Sequence, residues 1–500
     1  MKITSTTLTL PIACLAAIAS ANTWIPTAAG TYDFNDPDNW IENTVPDGID
    51  AVAGCAVDLT GSQTINIAGT NTFGTLLYGD IARQPTTGGQ TFPTAPGALI
   101  IMSASSGHAL IKRNGDGNTV NINPNIRLDT TTIIDNSNVS GAYEMYLGGA
   151  ISGDGGLIKT NAAKIFLGLY DTNHNTYDGL TTVAGGTLFL NKNNRIAIPG
   201  DILITSGMLQ LNRANNIADT SLITMRGSGR LRLSATTGSA YSDTIGGLES
   251  DSADVVLDSY ATGGTSVLTL LDDSDRTYAG MLQDGGRGGI LSIVKQGAGH
   301  WTLTGTNTHT GATTISGAGS IVVNAPSIMT GSPVQLTLGG TLGGDGIVSQ
   351  LVTCADGRLA PGTRGAVGTL TLAGGIDVAE ALAYDWQLTE LSETVGFDTL
   401  VASAGAIAPN ASCTVRLDFS LLPAEDRPDT PELAAFWLLD RRWTIALPAD
   451  ETTAVPFSEV DNGTGWAGGH GSFSVSDGGD GTVVLRWTAP PSKNSLIIIK

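Results

Sequence analysis

The chain has 500 residues, of which 65 are glycine and only 14% are charged, and its 46 acids against 25 bases give a formal charge of −21. That balance argues against nucleic acid as a partner, because duplexes are bound by Lys and Arg neutralising phosphates. A hydrophobic share of 41% argues equally against a disordered polymer. Glycine well above the usual ~7% and charge well below the usual ~25% point instead to a repetitive chain whose core grows along an axis.

At the N-terminus, Met1-Lys2 supplies one positive charge, Leu8 to Ala19 (LTLPIACLAAIA) an apolar run, and Ala19 to Ala21 a small-residue cleavage site. Residues 1–21 are therefore expected to be an export signal. The run is too short for a membrane anchor, and no later segment, SLIIIK at the end included, is long enough to span as a helix. Pro11 occupies a position where a lipoprotein signal around Cys14 would carry an aliphatic residue. Residues 22–65 are expected to form an N-terminal β cap.

From residue 66 to 375 the chain speaks in short alternating apolar runs separated by Gly, Asn, Thr and Asp, which suits strands joined by tight corners. Two stretches nearly repeat: NTYDGLTTVAGGTLFLN (Asn175 to Asn191) and NTHTGATTISGAGSIVVN (Asn307 to Asn324). Lys159 aligns with Lys295, Leu167 with Leu303, Asn175 with Asn307, Gly179 with Gly311 and Val183 with Ile315, with an insertion in the first copy. The best copies span residues 146–191 and 278–324. Strands this short bury no face alone; stacked in rungs of roughly 22 residues they form continuous aliphatic columns. The expected fold is all-β, a right-handed parallel β-helix. Residues 376–500 carry further short strands, among them LAYDWQL, CTVRLDF, RWTIAL and TVVLRWTA, and are expected to form a short all-β C-terminal cap.

The repeated pattern, lysine to N-T-Y/H-x-G-x-T-T-V/I through to the closing Asn, resembles the autotransporter-associated β-strand repeat of exported bacterial passenger proteins. The opening Thr23 to Gly54, with its Trp and Asn-Trp, and the stretch Leu338 to Gly375 are similar to segments that begin and close such arrays. The resemblance implies export, a β-helix and presentation at the cell surface or outside the cell, with no enzymatic activity of its own. It departs from the family's usual pattern in that residues 376–500 do not read as the strands of an outer-membrane barrel, and no Pro-Glu-Pro sorting tail is seen.

No residue set for catalysis, cofactor binding or metal binding is expected. Acidic groups occur at Asp251, Asp254 and Asp258, at Asp272, Asp273 and Asp275 beside Arg276, and at Asp477 and Asp480; Asp in such turns usually serves the backbone. Asp171, Asn173 and Asn175 alternate like calcium ligands but lack the central Gly and closing Glu of a calcium loop. The five histidines (His108, His174, His300, His309 and His470) form no H-x-x-x-H pair, and His309 stands in the slot of Tyr177. Gly463 to Gly468 fits G-x-G-x-x-G by letter, a chance match in so glycine-rich a chain. Trp24, Trp40 and Trp301 are the aromatics able to stack on sugars, although Trp24 and Trp40 also suit a cap core. Cys55, Cys354 and Cys413 are an odd number and cannot all pair within the chain, and Cys55 and Cys354 read as buried thiols. The expected function is that of a non-enzymatic structural or adhesive module, with a surface polysaccharide or another cell-surface component as partner. The alternative is a carbohydrate-active β-helix enzyme or a polysaccharide-binding protein, which three carboxylates gathered in one lateral cleft would favour.

Overall fold

A three-residue strand leaves most of its backbone polar groups unpaired, and burial without partners is costly. In this chain each short strand finds its partner one circuit later in the sequence. The computed structural model describes residues 22–81, 88–115, 119–136, 144–169, 173–235, 237–363, 365–429, 433–450, 453–461 and 470–491. The expected export signal, Cys14, Asp171, the Gly463–Gly468 stretch and SLIIIK lie outside the described residues. The described chain is all-β apart from three short 3-10 turns, and it divides into two compact units, Met1–Asn216 and Ile217–Lys500.

In the first unit three parallel ladders form the faces of a coil. One runs through Ala109–Arg113, Thr132–Asn136, Leu157–Lys159, Thr181–Val183 and Ile202–Ile204. A second runs through Val120–Ile122, Met145–Leu147, Lys164–Leu167, Thr187–Leu190 and Met208–Leu211. The third takes Thr70–Phe73, Leu99–Met102, Asn125–Leu128, Ile151–Gly153 and Thr176–Tyr177. Matching positions stack inward: Phe92, Ile122, Leu147, Leu167, Leu190 and Leu211 are successive register partners, and all are buried. The first strands already obey this rule. Asn22–Thr23 pairs with Val52–Gly54 and Gly30–Asp33 with Gln63–Asn66, both in parallel. An aromatic cluster fills the coil there, with Trp40 edge-on to Trp24 at 5.0 Å and to Phe34 at 4.9 Å.

The second unit repeats the scheme. Ile245, Leu270, Lys295, Ile315, Leu336, Cys354 and Val378 form one inward column. Steps vary around the expected rung: Thr313 aligns with Val334, 21 residues on, and Leu268 with Ile293, 25 residues on. The expected boundary at Gly375 falls inside a single strand, Thr369–Gln387. Gly375 takes a φ of 77°, and the register shifts between Leu372 and Ile376, so the glycine bulges the strand without ending it. Parallel pairing continues to Ser412–Asp418 and Glu459–Asp461. Among the described residues, antiparallel ladders enter where Arg441–Leu447 and Ser472–Asp477 flank Val483–Thr488. Trp386, Trp437, Trp443 and Trp487 are buried in this part of the unit, and the indole N–H of Trp437, Trp443 and Trp487 donates to the carbonyls of Asp426, Ser392 and Trp437.

The repeated polar residues are structural fasteners. Asn175 accepts from the Ile151 N–H at 2.9 Å and donates to the Ala197 carbonyl at 2.8 Å, tying three rungs together. Asn307 accepts from Leu282 N–H and donates to the Gly305 carbonyl. Lys159 and Lys295 are the unexpected members of the aliphatic columns, each almost fully buried. The Lys159 ammonium donates to the carbonyls of Thr160, Asn161 and Gly185; that of Lys295 donates to those of Asp272 and Gly297. Burial pulls the Lys159 amine down to about 8, with the Asp135 carboxylate opposing. The corner that supplies these oxygens needs a glycine: Gly186 has φ 58°, and a Cβ there would lie 2.4 Å from the Asn161 oxygen. Replacing Asn175 by Ala removes both rung ties and strands the Ile151 N–H, so Asn175→Ala is expected to lower stability by ~1–3 kcal/mol, read as a fall in the denaturant midpoint with an unchanged slope.

Candidate functional site

On the outer face of the second unit, strands His300–Leu303, Ser320–Val323, Gly340–Gly344, Val352–Pro361, Thr369–Gln387 and Ser412–Asp418 lie side by side in parallel. Side chains alternate across a strand, so every second residue of each strand faces outward and register places those residues in rows. His300, Ser320, Thr341 and Arg358 make one row of successive partners. Val322 and Gly343 are register partners in the row two positions on, where Gly343 aligns with Ala360; these small side chains leave a trough. The resulting groove has a volume of about 370 Å³ and ends at Asp385, Gln387, Arg416 and Asp418, within the usual range for ligand sites.

Its charges are balanced in place. Arg416 contacts Asp385 at 3.2 Å and Asp461 at 3.5 Å, and Arg358 approaches Asp385 at 3.7 Å. Gln387 donates to Asp418 at 2.8 Å. Burial pushes the Asp385 carboxyl above its ordinary range against the pull of Arg416 and Arg358. Burial also acts upward on Asp418, but hydrogen bonds from Gln387 and Ser420 outweigh it and hold that group low. The Ser320 hydroxyl lines the groove, is 4% exposed, and has no hydrogen-bond partner among the described residues.

Beneath the groove, Asp398 accepts from the Gly368 and Gln387 backbone N–H groups. Its burial is complete, and desolvation pushes it up to about 8 despite those two bonds.

The sequence-derived candidates are placed as follows. Asp272 accepts from Ser274 N–H and pairs with Arg276 at 2.6 Å; Asp273 accepts from Ala298 N–H and Asp275 from His300 N–H, each one rung away. Asp258 is buried between Arg230 and Arg232 at 2.6 and 2.8 Å, whereas Asp251 lines a shallow depression with Glu249 and Asp275. The Asp254 backbone N–H donates to the Ser252 hydroxyl at 3.3 Å. Asp477 and Asp480 close a turn through Gly479 and Thr482. Asn175 is committed to the backbone as described, and Asn173 is exposed. His309 is buried with Nε2 3.0 Å from Thr313 Oγ1, the same partner position that Tyr177 uses on Thr181 at 2.7 Å, and burial lowers it to about 4. Trp24, Trp40 and Trp301 are interior, with Trp301 donating to the Leu248 carbonyl. That corrects their reading as sugar platforms, because a ring enclosed by neighbouring rungs offers no face to a ligand. Cys55, Cys354 and Cys413 are buried free thiols, and among the described residues no three His, Cys, Asp or Glu gather as metal ligands. Sequence reasoning missed Arg358, Asp385, Gln387, Arg416 and Asp418. They are far apart in the chain, and the only signal was the alternation Asp385-x-Gln387 and Arg416-x-Asp418 in two paired strands.

Asp398 carries a pH signature. An acid whose folded pKa is raised retains a proton that the unfolded chain has released, so its contribution to stability is present below about 4 and is lost as pH rises to about 8. The denaturant midpoint of the wild type is expected to fall across that window more steeply than that of Asp398→Asn.

A family model described as passenger-associated-transport-repeat matches residues 157–188 and 293–323, the rungs that contain Lys159 and Lys295. The adhesin BmaC autotransporter of Brucella suis biovar 1 (strain 1330) is 32% identical over 106 residues, 21% of this chain and 3% of that protein. The chain thus spans a small fraction of that curated relative. The crystal structure of the Haemophilus influenzae Hap adhesin overlaps 87% of this chain and 64% of that one at 11% identity, with a TM-score of 0.28, too low to carry an argument. Two matched repeats set as rungs of a parallel coil make residues 157–188 and 293–323 similar to the transport-associated repeat of autotransporter passengers.

Proposed function

We propose that the chain is a non-enzymatic adhesive module that contacts a cell-surface component, such as a polysaccharide, through the lateral groove of its second unit. The observation that carries this reading is the groove itself, a concave strip on a rigid parallel ladder with donors and acceptors fixed by ion pairs before any ligand arrives. Sites preformed on strands lose little freedom on binding. The acidic clusters elsewhere are occupied in capping neighbouring rungs. The name of the Brucella relative, an adhesin, agrees with the reading over the segment the two share.

One observation favours a second reading. Asp385 held high and Asp418 held low share one groove, and carboxyls with divergent pKa values are the usual pairing for glycoside cleavage. Both readings are tested together by presenting the purified chain to isolated bacterial surface polysaccharides. Retention that falls at least fivefold in Arg358→Ala with Gln387→Ala, without release of new reducing ends, is the expected result. Retention unchanged by that pair overturns the groove as contact surface. Release of reducing ends that Asp385→Asn abolishes establishes the enzyme instead.

A further inference from the structure

We propose that the groove takes a neutral glycan chain lying across the strands, its hydroxyl groups bonded by Arg358, Asp385, Gln387, Asp418 and the Ser320 hydroxyl. This rests on the groove being the contact surface and goes further in naming the ligand's chemistry and direction.

Charge chooses the class. Two arginines and two aspartates line the groove, so its lining is balanced while the whole chain carries −21. A polyanion would meet long-range repulsion from the chain and close repulsion from Asp385 and Asp418. A polycation would have to pass Arg358, whose side chain is 45% exposed. A hydroxyl both donates and accepts, so it suits a surface where guanidinium and carboxylate alternate at hydrogen-bond spacing. Arg358 has guanidinium donors to spare, because its side chain is 45% exposed and its approach to Asp385 is long at 3.7 Å.

Shape chooses the direction. The groove crosses six paired strands from His300 to Asp418. At ~4.8 Å per strand this is a path on the order of 20–25 Å, suited to an extended chain of several sugar rings. The side chains lining it include no Phe, Tyr or Trp, and His300 stands at one end, so stacking contributes little and recognition falls mainly to hydrogen bonds. Ser320 is the most telling member. A buried hydroxyl without a partner is destabilising, and a groove-facing one gains its missing bond when a ligand hydroxyl arrives.

The test is calorimetric titration of the full chain with a panel of neutral hexasaccharides, cellohexaose and maltohexaose among them, and with hexagalacturonate as the acidic counterpart. The expected result is saturable binding of a neutral member, weakened about tenfold or more by Arg358→Ala and about three- to tenfold by Ser320→Ala, in line with charged and neutral hydrogen bonds. Ser320→Ala is also expected to leave the ligand-free denaturant midpoint unchanged or slightly raised, whereas a structural hydroxyl would lower it. Tighter binding of hexagalacturonate overturns the neutral-glycan assignment while leaving adhesion through the groove intact. Neutral binding indifferent to both substitutions, or none across the panel, also overturns it. Loss of polysaccharide retention in the adherence assay is a separate result and bears on the adhesive reading alone.

Discussion

Everything in this molecule answers to the parallel register between one circuit of chain and the next. Backbone N–H and C=O groups of a three- to five-residue strand are satisfied only by the strands before and after it. Once register is set, residues far apart in sequence become neighbours at fixed spacing, and like must stack on like. Phe92 through Leu211 in the first unit and Ile245 through Val378 in the second are the apolar outcome. The polar outcome is the recurring trio of buried Lys, rung-tying Asn and corner-facing Thr. His309 and Tyr177 differ in chemistry but satisfy the same hydroxyl four residues on, which is why the repeat tolerates the exchange.

The same register writes the outer surface. Asp385 faces Arg416, which faces Asp461, because their strands align at those positions. No local segment encodes the groove; it is a sum over six strands. Small residues at Gly343 and Ala360 make it concave, and the alternating signs of charge hold its side chains in place. An acidic protein thereby acquires a patch whose local field departs from its overall charge, the contrast on which the proposed preference for uncharged ligands rests.

The fold was legible because its signals are local and repeated. Short alternating runs, corners of Gly and Asn, and the paired Lys159 and Lys295 copies all survive reading without coordinates. The caging of those lysines was not legible, since a lone Lys normally stays at the surface with its stem covering apolar area. Only three-dimensional placement shows the carbonyls of Asn161 and Gly185 converging. Likewise Trp386, Trp437, Trp443 and Trp487 were visible as letters, but their assembly needs strands of opposite direction that meet late in the chain. Asp272, Asp273 and Asp275 were readable as backbone caps, because an Asp in a turn has few other uses. The groove residues gave no comparable clue: Asp385 and Arg416 meet only through a 31-residue circuit.

The oxygen cage around Lys159 is assembled from two circuits, with Gly185 contributed by the later one. A coil interrupted just before that glycine would leave an ammonium inside an aliphatic column with part of its solvation missing. Damage at that seam therefore weakens the circuit that precedes it, and the stability of the two turns cannot be divided between them.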